Sequence, residues 1–170
     1  MDLKQTRRSF LRTAPLAAAA VSLPLSEKFA VAATTPEPFQ LFKADKLADA
    51  MAKLHTTPGN ENLYDSKTLP MTVVMTREEK KAGKEFEWHE GRDHVFQILE
   101  GSTTYELGGT PANGRNTKPG EWLAPTSAGA TSVTVFKGDM LVIPRGTPHK
   151  RITETSVTFI LISSTGSVQG

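Results

Sequence analysis

Residues 138–149 read GDMLVIPRGTPH, and the way that stretch is punctuated decides the fold. Met140, Leu141, Val142 and Ile143 form a short apolar run, with Gly138 before it and Pro144 and Gly146 after it. Glycine and proline so close on both sides leave no room for a helix, whereas a short strand between two turns fits. His149 follows the second turn and leads into another extended run, Lys150–Thr153.

Outward from this stretch the same grammar repeats. Leu69–Thr76 (LPMTVVMT), Glu85–His89, Val95–Leu99 (VFQIL), Thr103–Leu107, Thr131–Phe136 and Val157–Ile162 are short runs rich in β-branched, aromatic or alternating residues. Gly101 predicts a turn between two of them. Gly108, Gly109, Pro111, Gly114, Pro119 and Gly120 predict a long loop. Helical spacing occurs once in this part of the chain: from Ala44 to Leu54 the apolar residues Leu47, Met51 and Leu54 recur along one face. Thr56–Asn62, with Pro58 and Gly59, reads as a loop. Many short, closely spaced strands without an internal repeat predict an all-β jelly-roll barrel or sandwich with one short N-terminal helix.

The N-terminus reads as an address. Thr6, Arg7, Arg8, Ser9, Phe10, Leu11 and Arg12 resemble the twin-arginine export consensus, with arginine where that consensus usually has lysine. The apolar stretch that follows, Ala14–Leu25, contains Pro15 and Pro24 and is shorter than the roughly 20 residues a bilayer span requires. Small residues at Ala30, Val31, Ala32 and Ala33 suit cleavage after Ala32. The expected organisation is a cleavable signal over 1–32, a flexible leader and short helix over 33–66, and a barrel over 67–165. A bacterial periplasmic or secreted protein with no stable membrane anchoring after processing follows.

Composition narrows the chemistry. The chain has 170 residues and a formal charge of +2, but without the first 32 residues it carries 15 basic against 16 acidic side chains. A near-neutral domain lacking a basic stripe has no electrostatic reason to seek nucleic acid. There are no cysteines, so thiolate metal sites and cysteine nucleophiles are excluded. Any transition metal must be held by imidazole and carboxylate, ligands that suit iron, manganese, nickel, copper or zinc.

The spacing of Gly138, Pro144, Gly146 and His149 resembles the second motif of the cupin family, which closes on an asparagine where this chain has Thr153. The family's first motif is His, one residue, His, three or four residues, Glu, six residues, Gly. Counting back from Gly101 puts His94 at its glutamate, His89 at its second histidine and Glu87 at its first. Glutamate and histidine have changed places. The resemblance implies a single cupin-type jelly-roll β-barrel holding one divalent transition metal by Glu87, His89, His94 and His149.

Strand geometry is compatible with that permuted set. Residues i and i+2 share a face, so Glu87 and His89 can point into one cavity while Trp88 points away. His94, Phe96 and Ile98 line one face of the next strand, giving a ligand with two apolar wall residues. Arg151 has the parity of His149 and could clamp a substrate carboxylate, so Phe96, Ile98 and Arg151 are the candidate substrate pocket. His55 reads as a polar helix terminus suited to the negative end of the dipole.

Two functions follow from the resemblance: a metal-dependent enzyme of oxygenase, isomerase or lyase type acting on a small organic molecule, or a non-catalytic cupin that binds a sugar, an organic acid or the metal itself. The catalytic residues are unassigned, apart from Glu87 as a general base if it leaves the metal. Cupins commonly pair, so the resemblance also allows a homodimer. Twin-arginine substrates cross the membrane folded, so the ion would be chosen in the cytoplasm.

Overall fold

The computed structural model describes residues 37–166, so the signal segment and its cleavage site lie outside the described residues. One helix, α1 (Ala44–Thr56), precedes eleven strands. Leu47 and Met51 are half-buried and Leu54 is buried, so the apolar face read from the sequence is the face that packs, against β1 (Gly59–Asp65) and β2 (Met71–Ala82). Strand β1 begins inside the segment expected to be a loop. Its sequence, GNENLYD, is mostly polar, and it is held by antiparallel pairing with β2 rather than by a hydrophobic pattern of its own.

The remaining strands are β3 (Phe86–His89), β4 (Arg92–Leu107), β5 (Thr110–Ala112), β6 (Arg115–Lys118), β7 (Glu121–Ala124), β8 (Thr126–Ala128), β9 (Thr131–Phe136), β10 (Met140–Ile143) and β11 (His149–Thr165). All pairings are antiparallel. Strand β11 is the spine: one edge pairs with β2, the other with β4, and His149 at its start stands opposite Glu87 of β3. Strand β3 continues the sheet through β7 to β6, while β4 carries β10 along its first half and β9 along its second. Between these strands lies the core, Phe96, Ile98, Tyr105, Val135, Ile143, Val157 and Phe159. The fold is all-β with one short N-terminal helix, as the residue pattern indicates.

The sequence divided this sheet too finely. Val95–Leu99 and Thr103–Leu107 are one strand, because Gly101 bends β4 instead of ending it; Gly101 has φ +69° and sits against the backbone of Ser156. Lys150–Thr153 and Val157–Ile162 are likewise one strand, β11, with a register shift between Thr153 and Ser156 opposite β2. The stretch expected to be a long loop contains β5 and β6, both short and without apolar alternation. By contrast β9 and β10 have the expected bounds. Among the described residues no helix is long and apolar enough to cross a membrane.

Candidate metal centre

Three histidines reach the site from three strands. His89 closes β3, His94 lies near the start of β4 and His149 opens β11, and all three are buried. Their rings meet edge-on, with centroids 4.9 Å apart for His89 and His94 and 5.6 Å for each of the other pairs. Each offers one ring nitrogen to a cluster whose members lie within 4.8 Å of one another.

What holds the rings is local and different for each. His149 Nδ1 donates to the carbonyl oxygen of Thr147 at 2.9 Å, a bond that fixes the proton on that nitrogen, since a carbonyl can only accept. His89 Nδ1 lies 2.6 Å from Oε2 of Glu121, its register partner on β7, and Arg92 Nη2 donates to the other oxygen of that carboxylate at 2.7 Å. His94 Nδ1 lies 3.0 Å from the hydroxyl of Ser163, its register partner on β11. With every Nδ1 engaged, the three Nε2 atoms are left for another partner.

Turns place these strands. Gly146 has φ +76°, and its N–H donates to His89 O at 2.7 Å, tying the turn before His149 to the end of β3. Arg145, between Pro144 and Gly146, clamps Asp93 beside His94, and its hydrogen bonds hold that carboxyl down at about 2.

Electrostatics favours the neutral rings a cation needs. Burial, followed by the neighbouring His89 and His149, pushes His94 down to about 3. Burial lowers His149 as well, against the opposing pull of the Thr147 carbonyl and the Glu87 carboxylate. Three oriented imidazoles, with burial holding His94 and His149 neutral, are a donor set for a divalent transition ion, so the residues present fit the group the sequence implies.

The other expected residues are placed differently. Glu87 shares a face with His89 as strand parity requires, but it is half exposed, and its Oε1 is 3.6 Å from His149 Nε2. It stands at the rim, outside the three-nitrogen cluster. Phe96 and Ile98 belong to the core; Phe96 packs its ring 5.8 Å from His94 and supports the site from behind. Arg151 does line a cavity, of about 300 Å³, together with Glu87 and His149. There it is gripped by Glu78, with Nε and Nη2 donating at 2.9 and 2.6 Å, and it lies 4.6 Å over the Phe159 ring. Burial works to raise Glu78, but the hydrogen bonds and charge of Arg151 outweigh it and hold the carboxyl low. Burial pushes Tyr105 up to about 12, so it meets Arg151 as a neutral phenol. His55 is not merely a helix terminus: its Nε2 lies 2.6 Å from Glu100 Oε2.

Glu121, Arg92 and Ser163 had no signal in the linear sequence. Glu121 and Ser163 become neighbours of the histidines only through the register of β3 with β7 and of β4 with β11, and Arg92, two residues before His94, meets the site by its bond to Glu121.

No family model matches this chain, and no curated protein does. Similar solved structures include a cupin-2 domain containing protein from Shewanella frigidimarina, at 17% identity, TM-score 0.45, covering 68% of this chain and 89% of that one. A cupin superfamily protein from Desulfitobacterium hafniense is similar at 13% identity and TM-score 0.44, over 62% of this chain and 75% of its own. A conserved protein with a double-stranded β-helix domain from Klebsiella pneumoniae is similar at 14% and 0.44, over 66% and 80%. The structural neighbours of this chain are thus cupin and double-stranded β-helix proteins.

Proposed function

We propose that this protein is a periplasmic metal-binding cupin that acts as an enzyme on a small organic molecule. The observation that carries the metal reading is the shared state of His89, His94 and His149: buried, bonded through Nδ1, and converging through the other nitrogen. A divalent iron, manganese, nickel, copper or zinc ion bound there would supply Lewis-acid or redox chemistry. The protein's own part is to orient three imidazoles, to keep His94 and His149 unprotonated, and to present Glu87 at the mouth of the adjoining cavity as a carboxylate able to take a proton. That cavity favours an enzyme of oxygenase, isomerase or lyase type over a barrel with structural metal only.

Metal content is the direct test. The full chain, exported by its own signal and purified without chelator, is expected to hold about one transition ion per chain, and His149→Ala should abolish it; a metal-free native protein would sink the reading. Export has a separate test. Arg7→Lys together with Arg8→Lys should strand the precursor in the cytoplasm, and undiminished appearance in the periplasmic fraction would remove the basis for that location.

A further inference from the structure

The cavity beside His149 has a charge pattern that the metal site does not use. Its lining contributes four cations, Lys81, Lys84, Lys150 and Arg151, against the carboxylates of Glu78, Glu85 and Glu87. Most of this charge is spoken for. Arg115, which does not line the cavity, takes both oxygens of Glu85 at 2.6 Å, and Lys150 pairs with Glu106 at 2.6 Å. Glu78 alone serves two cations, Arg151 and Lys81, at 2.6 and 2.8 Å. Among the described residues Lys84 has no carboxylate within ion-pair distance. Positive charge is therefore in surplus around the opening, and Glu87 at the histidine end is the one lining carboxylate without a lysine or arginine partner.

Backbone geometry fixes this surplus in place. Gly83 N–H donates to Arg151 O at 2.8 Å, and a Cβ at Gly83 would come within 3.2 Å of that oxygen and 3.1 Å of Lys150 Cγ. The turn between β2 and β3 thus lies directly on β11 and carries Lys84 to the cavity that Arg151 also lines. Glu78 occupies the Nε and Nη2 edge of the guanidinium, whereas Nη1 has only the Tyr105 hydroxyl at 3.4 Å, too long for a full hydrogen bond.

We infer that this cavity receives a small organic anion, its carboxylate taken by Lys84 and the Nη1 side of Arg151 and its other end turned toward His149. A cavity of about 300 Å³ lies at the small end of the roughly 300–1,000 Å³ typical of small-molecule sites. The inference deepens the metal reading and rests on it at the His149 end, because imidazole ligands bring no negative charge to offset a bound ion, whose charge would add to the pull on an anion. The Lys84 and Arg151 end stands without the ion.

Malonate, succinate and benzoate, each beside its uncharged amide, are titrated calorimetrically into metal-free and metal-loaded protein at low and high salt. At least one acid is expected to bind about tenfold more tightly than its amide, with the advantage shrinking as salt rises. Lys84 is exposed, so its variants should fold. Lys84→Ala should weaken acid binding about threefold and Lys84→Glu more than tenfold, with the amides unaffected. Amides that match every acid in both forms, or acids indifferent to Lys84→Glu, would overturn the inference. Lys84-dependent acid binding by a chain that takes up no transition metal even when metal is supplied would uphold it and defeat the metal reading alone.

Discussion

Glu121 is the residue that most alters the picture of the site. A carboxylate that accepts a hydrogen bond from a metal-binding imidazole fixes the tautomer and raises the basicity of the free nitrogen, and losing one typically costs about 10–100-fold in metal affinity. Glu121→Ala should fall in that range, and Glu121→Gln, which keeps an acceptor but not the charge, should lose about tenfold; competition with a chromophoric chelator measures both. An unchanged affinity in Glu121→Ala would mean that the 2.6 Å contact with His89 does nothing for the ion. The three histidines were legible because strand parity and motif spacing are properties of neighbouring residues. Glu121 was not, being 32 residues from His89 and joined to it only by strand register. The carboxylate the permuted motif assigned to the ion, Glu87, sits at the rim instead.

Among the elements, β4 and β11 depend on one glycine. At Gly101 the backbone is left-handed, and a Cβ would lie 2.1 Å from Ser156 O, so a side chain meets both torsional strain and a backbone clash. Gly138, in the turn between β9 and β10, is also left-handed, with φ +95°, but faces open space. Gly101→Ala should therefore cost about 2–5 kcal/mol in urea unfolding and Gly138→Ala only about 1–2. Equal costs would show that φ, not the approach of β11, sets the requirement. From sequence alone Gly101 looked like a turn, since glycine marks a reversal and a bend equally well. Only the partner strand distinguishes them. Strands β9 and β10 were readable to the residue because turn residues bound them on both sides and their apolar content is high. Strands β1, β5 and β6 are polar or very short, and pairing rather than propensity makes them.

For the whole molecule, the buried histidines couple folding to pH. The folded chain keeps His94 unprotonated down to about 3, whereas an unfolded chain binds that proton near 6.5. Between these values the unfolded state holds more protons, so stability falls as pH falls through the window, and the lowered His149 adds to it. The thermal midpoint of the metal-free protein should drop steadily from neutral pH toward about 4, and His94→Gln should flatten that slope. An identical slope in the variant would place the acid sensitivity elsewhere. All-β architecture was visible at this scale from the rhythm of turns, while the closing of the sheet around β11 was not, because it depends on pairings across most of the chain. The tryptophans add an optical dimension. Trp88 and Trp122 are the chain's only two, and they stack with centroids 5.6 Å apart and planes 10° from parallel. One follows Glu87 and precedes His89; the other follows Glu121. Indoles stacked this closely couple their transitions, so the protein carries an intrinsic exciton pair on the two strands that orient His89, and any shift of those strands on ion binding would register in its circular dichroism without a label.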